Sequence, residues 1–99
     1  MWYCIFATDC KDSLSMRHKH RPKHLERLEE LQSQGRLLLA GPFPAIDSME
    51  PGPNGFTGSL IVAEFDCLFD ANEWANQDPF MVNGIFENIN VKPFKKTLP

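Results

Sequence analysis

The chain has 99 residues, 42% of them hydrophobic and 11% aromatic, enough for one modest core and too little for a second, so residues 1–99 are read as one domain. A net charge of -3 argues against a nucleic-acid partner, because phosphate binding draws on clustered Lys and Arg without an acidic majority. Cys4, Cys10 and Cys67 are odd in number and fit no metal-binding spacing. With no basic leader and no long apolar run, they point to free thiols in a cytoplasmic protein with no membrane span.

Trp2 to Ala7 is a short, nearly continuous apolar run closed by Thr8-Asp9-Cys10-Lys11-Asp12-Ser13, which predicts a first strand and a connection. A helix is expected from Pro22 to Gln34, with proline at its first position and Gly35 at the left-handed cap. Arg36 to Ala40 reads as a second strand and Ser59 to Phe65, rich in branched residues, as a third. Asp66 is expected to cap a second helix whose apolar stripe is Leu68, Ala71, Trp74 and Ala75. Pro79 ends it by keeping Asp78 out of helical backbone space. The last strand runs from Ile85 to Val91, with Ile85, Ile89 and Val91 on one side and Asn88 and Asn90 on the other.

The order βαββαβ is the ferredoxin-like α+β plan, a four-stranded antiparallel sheet with two helices on one face. That plan leaves the second sheet face bare. The first and third strands are apolar on both sides, so a second copy of the chain is expected to cover it, giving a homodimer packed through its sheets. Between the second and third strands, Gly41 to Gly58 is too long for a hairpin and reads as a rim or lid over a pocket, held down by Phe43, Ile46, Met49 and Phe56.

Two residues are candidates for chemistry. His24 falls within the stripe of Leu25, Leu28 and Leu31, and a start at Pro22 would put it in the first helical turn, where the dipole favours a neutral imidazole suited to general-base work. Asp78, fixed in extended geometry before Pro79, has the rigidity needed to orient a histidine. Spacing leaves the plainer readings open: a core histidine bonded to a backbone carbonyl, and a turn aspartate bonded to its own backbone. The run Arg17-His18-Lys19-His20-Arg21 is basic enough to attract an anion. As a metal site it is poor, because no carboxylate or cysteine nearby completes the ligand set, and a solvated turn is the better reading. Thr57 and Ser59 offer hydroxyl donors beside Gly58, where an absent side chain permits close approach to a ligand. Ser59 lacks the strand-to-helix elbow of a nucleophile.

Taken together, Arg21-Pro22-Lys23-His24-Leu25, Gly35-Arg36-Leu37-Leu38-Leu39-Ala40-Gly41-Pro42, Phe56-Thr57-Gly58-Ser59, Asp78-Pro79-Phe80, Gly84 and Val91-Lys92-Pro93-Phe94-Lys95-Lys96 closely resemble the YciI-like (YCII-related) family over essentially the whole chain. The resemblance implies a dimeric α/β barrel similar to that of muconolactone isomerase and a site centred on a histidine and an aspartate, which carry over to His24 and Asp78. It also implies kinship with a dehydrochlorinase acting on a chlorinated hydroxyhydroquinone. Phe80 stands where relatives often carry tyrosine.

The expectation is therefore a small enzyme, needing no cofactor or metal, in which His24 moves a proton and Asp78 orients it. Arg21, Gly41, Pro42, Gly58, Ser59 and Phe80 are expected to border the substrate. The reaction would couple proton transfer to elimination or isomerisation of a small polar, aromatic or anionic molecule. The rival is a dimer that binds such a ligand without turnover. An RNA-recognition module shares the βαββαβ order, but Gly58 to Phe65 lacks its basic lead and stacking aromatics.

Overall fold

Alternation along Trp2–Asp9 (β1) sets the frame: Tyr3, Ile5, Ala7 and Asp9 are buried, while Phe6 between them is exposed, the pattern of a strand with one face on a core. The computed structural model, which describes residues 1–99, continues through α1 (Leu14–Ser33), β2 (Leu37–Pro44), a 3-10 turn (Gly52–Asn54), β3 (Phe56–Glu64), α2 (Leu68–Asn76), α3 (Pro79–Val82) and β4 (Phe86–Phe94). The sheet is four-stranded in the order β2-β3-β1-β4, with every neighbouring pair antiparallel. This is the expected ferredoxin-like order. Pro42 and Pro93 lie in the edge strands β2 and β4, where a missing N–H can be tolerated.

Several boundaries differ from the sequence expectation. The first helix starts at Leu14, eight residues before Pro22, which sits inside it. The Ser13 carbonyl accepts the first helical bond, from Arg17 N at 2.8 Å, and the buried stripe then reads Arg17, His24, Leu28 and Leu31, spacings of seven, four and three. His24 therefore lies in mid-helix, beyond the first turn where the helix dipole acts. The second helix is capped at Cys67 rather than Asp66. β2 and β3 run on to Pro44 and back to Phe56, so the connection shrinks to residues 45–55.

The core lies between sheet and helices. Tyr3, Ile5, Ile61 and Ala63 from the sheet meet Leu28, Leu31, Ala71 and Ala75. A second cluster of Ala7, Phe80, Ile85 and Phe86 fills the end where α3 leads into β4. No helix is long and apolar enough to cross a membrane.

Candidate active site

Asp78 ends up at the junction of α2 and α3 because Pro79 holds it extended (φ −58°, ψ 132°) while opening the next helical turn. Its Oδ1 accepts a hydrogen bond from Phe80 N at 2.8 Å. The same carboxylate meets His24 Nδ1, at 2.8 Å through Oδ1 and 3.0 Å through Oδ2. Turn aspartate and histidine partner are thus one residue performing both roles. Asp78 is only 1% exposed and His24 6%. A carboxylate has no hydrogen to give, so Nδ1 carries a proton and donates it to Asp78; in the neutral tautomer that makes this bond, the lone pair is on Nε2.

Aromatic rings fix the imidazole. Phe80 stacks on it in parallel, 4.0 Å between centroids and 6° between planes, and Phe86 meets it edge-on at 6.5 Å. Nε2 makes no hydrogen bond within the chain, and Arg27 Nη1 is the single fully buried side-chain nitrogen or oxygen without a partner. Nε2 is therefore not sealed in. It opens on a cavity of about 460 Å³ that His24 lines.

That cavity lies between residues 17–28 of α1, the β2 and β3 strands, and α3. Its walls are Arg17, His18, Arg21, His24, Leu25 and Leu28 from the helix, Ala40, Gly41, Pro42, Phe56, Ser59 and Ile61 from the sheet, and Phe80. The strand register explains the sheet side: Ala40 pairs with Ile61 and Pro42 with Ser59, so these four share the face turned toward α1. Of the expected border residues, Arg21, Gly41, Pro42, Ser59 and Phe80 are present. Gly58 is not. It is buried in β3, where a Cβ would collide with the carbonyl oxygen of Ala7 on the neighbouring strand, so its missing side chain serves strand packing rather than a ligand. Thr57 does not line the cavity, and neither does any residue of the 45–55 connection. The lid expectation is thereby corrected: Gly41, Pro42 and Phe56 form a rim, but as strand residues, and Gly55 packs beside Leu14 instead.

Arg17 was missed in the sequence, hidden among surface-like basic neighbours. It is 6% exposed and forms a two-pronged pair with Asp9, Nε to Oδ2 at 2.6 Å and Nη2 to Oδ1 at 2.9 Å. Nη2 also donates to the Gly58 carbonyl at 2.9 Å and to Ser59 Oγ at 3.0 Å, and Ser13 Oγ donates to Asp9 at 2.6 Å. The signal for it was its place seven residues before His24, hence on the same helical face, legible only once the helix is begun at Leu14.

Arg27 lies behind the pair. It stacks over Trp74 at 4.4 Å and donates to the Trp74 carbonyl at 2.9 Å. Burial pushes its guanidinium below its ordinary value, with the carboxylates of Asp78 and Glu30 pulling the other way. His18, His20 and His24 do not come together as a ligand set: no group of three His, Cys, Asp or Glu side chains is arranged to hold a metal ion.

Comparison with known proteins agrees with this architecture. The model of the YCII-related domain matches residues 1–95. Protein YciI of Escherichia coli O6:H1 is 53% identical over 96 residues, covering 97% of this chain and 98% of that protein. An uncharacterized protein of Haemophilus influenzae is 49% identical over the same shares. Among solved structures, 5-chloro-2-hydroxyhydroquinone dehydrochlorinase from Burkholderia phenoliruptrix AC1100, in complex with 2,5-dihydroxybenzoquinone, superposes with a TM-score of 0.83 at 25% identity, covering 96% of this chain and 94% of that one.

Proposed function

The chain belongs to the YCII-related domain family, and on that footing we propose that it is a small acid-base enzyme working as a homodimer, with His24 as proton carrier and Asp78 as its orienting partner. The substrate is a small polar, aromatic or anionic molecule, and the reaction an elimination or isomerisation. The observation that carries this reading is the pairing of His24 Nδ1 with a buried carboxylate while Nε2 opens on a cavity of ligand size.

The steps follow from the tautomer. Nε2 takes a proton from an acidic position of the ligand, and the Asp78 carboxylate, already accepting Nδ1–H, stabilises the imidazolium as it forms. In an elimination the electron pair left behind forms a double bond and expels the leaving group as an anion. In an isomerisation the imidazolium returns the proton to a different atom of the same ligand. Stacking on Phe80 keeps the ring from turning away from Asp78. A structural relative whose activity is a dehydrochlorination, the loss of a proton and a chloride, supports the elimination branch.

The test begins with a thermal-shift screen of small acids, substituted phenols and hydroxyquinones, followed by turnover assays on the hits. His24→Ala is expected to stay folded and to lose at least about 10²-fold in turnover, the lower range for a removed acid-base group. An unimpaired His24→Ala variant would remove the proposal. Binding without turnover in the unmodified protein would favour the ligand-binding reading instead.

A further inference from the structure

We propose that Arg17, Ser59 and Arg21 form an oxyanion subsite in the cavity, so that the ligand is an anion whose charged oxygen lies against Arg17 Nη1 and Ser59 Oγ. The inference rests on the reading of this cavity as the working site and narrows its substrate class. Arg17 is held rigidly, with Nε and Nη2 spent on Asp9, Gly58 and Ser59. Nη1 makes no hydrogen bond within the chain and is not among the sealed atoms, so on a residue that lines the cavity it faces the cavity. Ser59, 4% exposed, accepts from Arg17 through Oγ, which leaves its own hydroxyl hydrogen free to donate. Two buried groups therefore aim unused donors at one place, in a fixed geometry that suits a carboxylate or enolate oxygen.

Charge agrees with donor geometry. The wall contains Arg17 and Arg21 and no Asp or Glu, since Asp9 and Asp78 sit behind their partners. Asp9 offsets Arg17, so the excess positive charge comes from Arg21 at the more exposed side, while Arg17 and Ser59 give the direction. Phe56 and Phe80 add aromatic walls for a flat ring. A neutral ligand of the same shape would leave the Arg17 N–H and the Ser59 O–H unpaired in a partly desolvated site, which disfavours it.

Titration calorimetry with two probe pairs tests this: benzoate against benzamide, and 2,5-dihydroxybenzoquinone, an acidic enol ionised at neutral pH, against neutral 1,4-dihydroxybenzene. In the unmodified protein the anion of at least one pair is expected to bind about tenfold tighter or more than its neutral partner. Preference in the benzoate pair alone assigns a carboxylate, in the quinone pair alone an acidic enol, and in both a general oxyanion site. Ser59→Ala and the exposed-side Arg21→Ala should each erode that preference by about three- to tenfold, and raised salt should weaken the Arg21 share. Equal binding of anion and neutral partner in both pairs, or a preference untouched by both substitutions, overturns the inference. His24→Ala separates it from the catalytic reading: the anion preference should survive there even though turnover is lost.

Discussion

Arg17–Asp9 and His24–Asp78 are both buried contacts between a carboxylate and a side-chain nitrogen, and both touch Phe80, yet their chemistry differs. Asp9 receives Arg17 on both oxygens and Ser13 on one and does not itself line the cavity, and with the bond from Arg17 to the Gly58 carbonyl this pair holds β1, α1 and β3 together. Removing the cation leaves a carboxylate, side chain 1% exposed, with a single hydroxyl donor. Arg17→Met is therefore expected to cost about 3–5 kcal/mol, the usual penalty for breaking a buried pair from one side. A chemical-denaturation midpoint unchanged from the unmodified protein would show the pair to be idle. Arg17→Lys should not restore the loss, because one ammonium cannot span both Asp9 oxygens, the Gly58 carbonyl and Ser59 in that fork geometry. His24–Asp78 is different in kind. Both pairs leave a nitrogen facing the cavity, but an imidazole nitrogen can take up and return a proton, whereas the guanidinium of Arg17 can only donate hydrogen bonds.

At the scale of elements, α1 carries the most consequence, since Arg17, Arg21, His24 and Leu28 all reach the cavity from it. Pro22 sits in its interior and is exposed, lacking the N–H that would bond four residues back to the carbonyl of His18. Pro22→Ala is expected to restore that bond and raise stability, by up to about 3 kcal/mol before the looser unfolded chain takes part of the gain back. A lower melting temperature would mean that the proline shapes the cavity wall in a way the helix depends on. The same residue explains the largest misreading of the sequence. A proline followed by a leucine stripe matches a helix start, and the true cap, Ser13, spends its side chain on Asp9 and leaves no capping bond to reward the reading. Strand order and most of the apolar stripes were legible because periodicity reports burial directly, although Leu68, expected in the stripe of the second helix, is 41% exposed. The contact between His24 and Asp78 was not legible, since no local pattern spans a sequence separation of 54; the family resemblance supplied it. Gly58 was half legible: its need for a missing side chain was correct, but the close neighbour is the Ala7 backbone rather than a ligand.

At the scale of the molecule, the sheet face turned away from the helices remains to be accounted for. Strand register places Cys4 and Phe6 of β1, Leu60 and Val62 of β3, and Leu39 and Phe43 of β2 on that face, with Asn90 and Lys92 opposite Phe6 and Cys4 on β4. Phe6 is 46% exposed and Leu39 47%, with the Phe43 ring tilted against Phe6 at 5.1 Å between centroids. The result is an apolar half beside a polar half. A twofold partner laid face to face can set one sheet against the other and withdraw the exposed aromatics from water, a gain of about 25 cal/mol for each Å² of apolar area covered. We therefore expect a dimer in multi-angle light scattering at micromolar concentration. Phe6→Glu should split it, because two carboxylates would be driven into the apolar half of a self-facing surface, each without a partner. The cavity lies on the opposite, helix-covered side of the sheet, so His24 and Asp78 should keep their contact in such a monomer if it folds. A light-scattering mass of one chain for the unmodified protein would remove the dimer. A Phe6→Glu variant that stays dimeric would move the interface elsewhere.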